Sequence, residues 1–174
     1  MLNFRGILLV FSIFLLTSTI SLSAEKIVFF DIDYVISKSK AGNKITKKLE
    51  KINQNNIKIL NEEKKKLDKE LSEIKKVQNI IEKKELQKKV KLHNSNLIEF
   101  NKKKKELSNK LKNTKKKEIV QLVNKINPII EEYMNTNSID IILSKQGVYI
   151  SKINHDITQN ILEIVNKKIN WWIV

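Results

Sequence analysis

The chain of 174 residues has no cysteine. That excludes a disulfide framework, a Cys-ligated zinc and a thiol nucleophile. Glycine occurs three times and proline once, too few for a many-stranded sandwich or barrel, which needs a turn signal every few residues. Arginine occurs once, at Arg5, and there are two histidines. Eight aromatics are scattered beyond residue 24. Such a composition offers little material for a catalytic centre. No G-x-x-x-x-G-K, G-x-G-x-x-G or G-x-S-x-G run is present, so nucleotide binding and serine-hydrolase chemistry have no support. His93 and His155 belong to no H-x-x-x-H pattern. Asp31 and Asp33 resemble a D-x-D metal motif, but no further ligand lies nearby, so strand-end and capping roles are expected of them. No catalytic residue, cofactor or metal is expected.

Lysine is what the chain has in excess. The formal net charge is +15, and it is unevenly placed. Residues 24–42 hold three Lys and three acids, and residues 119–174 hold five of each. Residues 43–118 hold 25 Lys and 11 acids. Beyond the first 23 residues, therefore, the whole net charge sits on the middle segment. Dense groups lie at Lys64, Lys65 and Lys66, at Lys102, Lys103, Lys104 and Lys105, and at Lys115, Lys116 and Lys117. Such a surface attracts anionic partners, speeds encounter with them and weakens with salt. These lysines are the expected contacts for an acidic client or an anionic envelope surface such as lipid or lipopolysaccharide. Nucleic acid is the disfavoured partner, since base readout leans on Arg and none occurs after residue 5.

The first 23 residues read as an address. Arg5 supplies a basic start, GILLVFSIFLLTSTI an apolar stretch, and Ser21, Ser23 and Ala24 a small-residue cleavage region. The apolar run is short of the ~20 residues that span a bilayer. A cleaved secretory signal over residues 1–23 is expected.

Residues 43–118 contain neither Gly nor Pro and are rich in helix formers. One apolar stripe reads Ile45, Leu49, Ile52, Leu60, Leu67, Leu71, Ile74, Val77, Ile81; a second reads Leu86, Val90, Leu97, Phe100, Leu107, Leu111. Their steps of mostly 3, 4 and 7 predict two long helices paired as a coiled-coil-like hairpin. The turn is expected within Lys76–Lys84, with Asn94-Ser95-Asn96 as the rival. Asn56, Glu63, His93, Lys104 and Thr114 are expected to interrupt the seam and loosen it.

The flanking segments, 24–42 and 119–174, read as one compact base. Lys26–Asp31 is a strand candidate. Asp33 is the expected cap of a short helix, which Ala41-Gly42 then breaks. Ile119, Leu122, Val123, Ile126, Ile129, Ile130 and Tyr133 form a wide apolar helical face that Pro128 interrupts or kinks. Ile139–Leu143 and Val148–Ser151 read as a hairpin. Asp156 with Gln159 reads as a capping box opening a last helix toward Val174. Trp171 and Trp172 near the chain end are expected to pack. The fold class is α+β, mainly α. A base this small with open sheet edges is expected to associate with itself through Ile27, Phe29, Phe30, Ile139, Ile141 and Ile142.

Both ends carry a resemblance. AEKIVFFDIDYVISKSKAGNKITKKLEK and SIDIILSKQGVYISKINHDITQNILEIV are similar to the N- and C-terminal patterns of the Skp/OmpH family of periplasmic chaperones. The chain departs from that family in its higher Lys content, Pro128 and the Trp171-Trp172 tail. The resemblance implies a homotrimer, with a β-containing trimerisation base and three helical-hairpin arms around a cavity. It implies a protein that holds unfolded outer-membrane proteins in the periplasm without ATP and prevents their aggregation. The competing reading is an exported coiled-coil spacer bound to anionic envelope surfaces.

Overall fold

The structure is a computed structural model describing residues 25–169. The expected signal segment and Trp171 and Trp172 lie outside the described residues.

The apolar run Ile27–Phe30 forms strand β1. It ends at Asp31, whose carboxylate accepts the backbone N–H of Tyr34 at 2.9 Å and so caps helix α1, Ile32–Lys38. Asp33 is therefore not the cap: it lies inside the first turn, and its carboxylate accepts from the Gln146 side chain. The break after α1 also falls earlier than Ala41-Gly42. Ser39, fully buried, caps helix α2, Lys40–Val77, by accepting the Gly42 N–H at 3.0 Å. Gly42 is helical and serves a different need. A Cβ there would stand 1.6 Å from the Ile36 carbonyl oxygen, so only glycine lets α1 cross this close to α2.

The chain reverses between Val77 and Lys83, the expected place; Asn94-Ser95-Asn96, the rival, lies inside helix α3, Lys83–Thr136. Helix α3 returns antiparallel along α2, as the pairs Glu63–Lys103 and Lys48–Glu118 require. It continues without interruption through Pro128. Pro128 and Asn124 are both exposed, so water takes over the carbonyl that loses its N–H partner.

Helix α3 ends at a left-handed residue, Ser138 (φ 50°), with the Ile139 N–H reaching back to the Met134 carbonyl at 3.0 Å. Strand β2, Ile141–Ser144, comes next and pairs with β1 in parallel, Ile27 opposite Ile141 and Phe30 opposite Ser144. The expected hairpin is not formed: residues 145–147 make a 3₁₀ turn, and Val148–Ser151 finds no strand partner among the described residues. The free edge of β1 is instead covered by the chain entering helix α4, Thr158–Lys168. There Ile157 N–H donates to the Phe29 carbonyl at 2.9 Å, and the His155 ring donates to that of Ile27 at 2.8 Å. Helix α4 starts one residue later than a capping box on Asp156 would place it, with Ile157 at the cap position. Asp156 accepts the Thr158 N–H at 2.9 Å, and Gln159 turns away to Glu163.

One apolar core joins these pieces. Val28, Val35, Ala41, Ile45, Leu122, Ile126, Ile129, Ile139, Ile157, Ile161, Leu162, Val165 and Ile169 are buried together. They come from β1, α1, the first turns of α2, the last turns of α3, the segments around β2 and α4. The tie between distant pieces is also polar: Asn166 of α4 accepts the Lys40 N–H at 2.7 Å. This core sits at one end of the molecule, and the α2–α3 hairpin projects from it.

Candidate functional site

The hairpin arises from the sequence in a simple way. A helix of 38 residues rises ~57 Å at 1.5 Å per residue. It needs one stripe buried, and α3 supplies the complementary stripe. Between the base and the tip only Leu67 and His93 are buried; Leu49, Ile52, Leu60, Ile74, Leu97, Phe100, Leu107 and Leu111 are half-buried. Two helices side by side cover one narrow seam and no more.

Asn56, Glu63, His93 and Thr114 face that seam as expected. Lys104 does not. It is exposed, and its neighbour Lys103 is turned inward to an ion pair with Glu63. In a run of four lysines no apolar residue marks the phase, and the opposing carboxylate selects Lys103. Leu71 and Val90 likewise point out, and Glu70 takes the seam position beside Leu67 and Ile74. The signal was present: the strict 3,4 spacing Glu63, Leu67, Glu70, Ile74, Val77, Ile81 selects Glu70 over Leu71.

Glu70 organises a polar cluster at mid-arm that the apolar stripe alone does not reveal. Asn96 donates to both its oxygens at 3.1 Å, and the His93 ring lies 3.3 Å from Oε2. These bonds, Asn96 first and then His93, hold the Glu70 carboxyl below its ordinary range. No buried side-chain polar atom among the described residues lacks a partner. The seam is thus polar yet satisfied, which fixes the register of the hairpin without adding much stability.

The seam leaves shallow grooves on the arm. One of about 310 Å³ is lined by Leu67, Phe100, Glu63, Glu70, Glu99 and Lys103 among others. Another, about 490 Å³, lies nearer the base over Leu49 and Leu111, with Lys112 and Lys115 beside it. Around them stand the lysines of the three dense groups. Lys64, Lys65, Lys66, Lys102, Lys104, Lys105, Lys115, Lys116 and Lys117 are all exposed. Lys102 makes a loose i,i+4 pair with Glu106 at 4.0 Å. The hairpin brings Lys66 and Lys103 to one groove; it does not bring the three lysine groups to one point.

At the base, Phe29 and Ile139 are buried, and Phe30 and Ile142 pack partly against the core. Ile27 and Ile141 stay exposed on the sheet, and so does Leu143. Beside them the chain displays Tyr149, Ile150 at 86% exposure and Ile153 at 88%. Sequence reasoning missed these three exposed apolar residues. Reading Val148–Ser151 as a strand was the available clue, because a strand-like segment without a partner in its own chain must display its side chains. Lys145 and Asp156 tie this loop down, 2.9 Å apart. Burial pushes the Asp156 carboxyl up, but bonds from the Thr158 hydroxyl, Lys145 and the Thr158 N–H outweigh it and hold it below its usual range. The same bond raises Lys145.

Among the described residues no group of three or more His, Asp or Glu could hold a metal, and no helix is long and apolar enough to cross a membrane.

Comparison with known proteins agrees with this architecture. A crystal structure of a Caulobacter crescentus CB15 protein, named as an OmpH-like outer membrane chaperone, superimposes with a TM-score of 0.79. The identity is 16%, over 87% of this chain and 90% of that one. No curated protein sequence matches the chain. The profile of the family described as outer membrane protein (OmpH-like) matches residues 26–165, nearly all of the described fold. The chain belongs to the OmpH-like family.

Proposed function

We propose that the protein is an ATP-independent periplasmic holdase that binds unfolded outer-membrane proteins and keeps them from aggregating in transit. The observation that carries this reading is the arm itself, a long hairpin with the net charge of the chain on its surface and only a shallow apolar seam inside. An unfolded barrel protein is aggregation-prone, and an acidic one is drawn to such a surface from a distance. The half-buried seam then offers weak, plural contacts and can splay around clients of different size. Lys64–Lys66, Lys102–Lys105 and Lys115–Lys117 do the capturing. Release needs no chemistry when folding at the membrane is more favourable than holding.

The base works as the assembly point. Ile27, Ile141 and Leu143 are exposed on a sheet whose β2 edge is unpaired, and Tyr149, Ile150 and Ile153 are exposed in the chain that follows β2, the kind of surface that pairs with another chain. Copies of the chain associate there, with Phe29, Phe30, Ile139 and Ile142 supporting the strands from behind. The number three comes from the family resemblance. A trimer would set three basic arms around one cavity.

The test is aggregation of a urea-diluted outer-membrane barrel protein with and without residues 24–174, alongside native mass measurement. Suppressed aggregation by a trimer is expected. Raising salt should slow association strongly and dissociation less, since the Debye length falls from ~30 Å at 0.01 M to a few Å near 1 M. Replacing Lys102–Lys105 by Gln should reproduce part of that slowing. Salt-sensitive binding to anionic vesicles with no effect on client aggregation would instead make the arm an envelope-surface spacer.

A further inference from the structure

The two grooves on the arm differ in charge. The one at mid-arm, over Leu67 and Phe100, is rimmed by the carboxylates of Glu63, Glu70 and Glu99, and its Lys103 is already paired with Glu63. The one nearer the base, of about 490 Å³, has the half-buried Leu49 and Leu111 as its floor. Ser108, Leu111, Lys112 and Lys115 have helical spacing and so share one face of α3; Leu49, Glu50 and Asn53 share the facing one on α2. Lys112 and Lys115 are exposed, and neither has a hydrogen-bond or ion-pair partner among the described residues. Glu50 is the one acid among the residues lining this groove.

Such a groove takes two groups at once: a large apolar side chain on the leucines and a carboxylate at the lysines. At mid-arm the same carboxylate would meet three others. In an extended chain, residues i and i+2 point to the same side, ~6.6 Å apart, while residue i+1 points away. A lysine ammonium on its long flexible stem sweeps that distance. An acid two positions from the apolar residue therefore meets Lys112 or Lys115, and an acid directly beside it does not. In a transmembrane barrel strand, residues two apart share the lipid face or the lumen face. An apolar residue with an acid two places away therefore marks the end of such a strand rather than its centre.

We propose that the basal groove over Leu49 and Leu111 is the arm's sequence-reading contact, taking an extended client segment with an apolar residue and an acid two positions from it. The proposal deepens the holdase reading and rests on it for the identity of the ligand.

Anisotropy of short labelled peptides tests this on the whole protein. A peptide built on Asp-x-Phe-x-Asp should bind about five-fold tighter than one of the same composition with each Asp beside the Phe, the gain expected of two exposed ion pairs. Lys112→Glu combined with Lys115→Glu should reverse the charge preference, so that Lys-x-Phe-x-Lys binds better than Asp-x-Phe-x-Asp. Lys66→Glu, in the mid-arm groove, should change neither. All these positions are exposed, and circular dichroism should confirm that the helices are intact. Equal binding of the two Asp peptides would overturn the proposal, as would an unreversed preference or an equal effect of Lys66→Glu. So would phosphatidylglycerol vesicles that need Lys112 and Lys115 while the peptides show no preference, which would make a lipid surface the occupant. Aggregation of the urea-diluted barrel protein, followed in parallel, separates the two readings. Suppression without any peptide preference would sink the groove assignment and leave the holdase standing. A peptide preference without suppression would sink the holdase, and with it the client named here.

Discussion

The two ends of this molecule are built from the same α3 helix and bury it differently. In the base, α3 meets α1, α4 and the first turns of α2, and Leu122, Ile126 and Ile129 disappear from solvent. In the arm, α3 meets α2 alone, and its apolar residues stay half-exposed with charges between them. A core needs partners on more than one side; a pair of helices gives each residue one. The base is therefore where stability resides, and the arm is free to vary, carry charge and open.

The largest effect that separates the regions is a cavity. Ile126→Ala, at a fully buried position, should cost about 4 kcal/mol, whereas Leu107→Ala in the seam should cost about 1 kcal/mol. Urea midpoints check this, and equal losses would break the contrast. Hydrogen exchange gives the same comparison without mutation: amides of 55–111 should exchange much faster than those of β1 and α4. Next comes Gly42→Ala. Its Cβ would collide with the Ile36 carbonyl, so α1 must shift, at a cost of about 3 kcal/mol felt in the base, with arm exchange unchanged.

Acid should weaken both regions through different groups. Glu70 in the arm and Asp156 in the base both have carboxyls held below the ordinary range. A depressed folded pKa stabilises at pH above the unfolded value and is lost as pH falls through the folded one. Stability should thus be intact near neutrality and decline below about pH 4. Asp156→Asn should flatten that decline for the base and Glu70→Gln for the arm; a decline untouched by either substitution would contradict the assignment. The smallest effect has the opposite sign. Ser138 is the only non-glycine residue with positive φ among the described residues, so Ser138→Gly should stabilise the base by about 0.5–1 kcal/mol in thermal unfolding.

The hairpin is legible in the sequence because nothing in residues 43–118 competes with a helix, but the turn is placed only within Lys76–Lys84, because no Gly or Pro marks it and the apolar spacing runs on from Val77 to Ile81. Phase is also where sequence reasoning slips. The run Lys102–Lys105 holds no apolar marker, so spacing points to Lys104 where the fold uses Lys103; at Leu71 the apolar residue type itself misleads, drawing the stripe away from Glu70, which the 3,4 spacing selects. The Glu70–His93–Asn96 cluster stays hidden because its members are polar and an apolar stripe does not register them. In the base, Ser39 and Asp31 carry sound capping chemistry, but Gly42 looks like a breaker when its role is a close approach between helices. That distinction lives in the position of the Ile36 carbonyl, which no local pattern encodes. Pro128 misleads similarly, since its tolerance depends on which face of α3 meets water. The second strand of the expected hairpin has strand composition without a partner in its own chain, and composition alone does not supply one.

The parallel pairing of Ile27 with Ile141 joins residues separated by 114 positions. Closing a flexible loop of that length costs about 4 kcal/mol before any contact compensates. The arm removes most of that cost. Contacts near the tip close short loops first, and each further turn zips the next, until Lys48 meets Glu118 and the two strands are delivered to each other. A region that adds little to equilibrium stability should therefore set the order of folding, tip, arm, then sheet, which stopped-flow refolding of tip and base variants would check. A lesion at the tip, far from every core residue, would be felt as slow closure of the base.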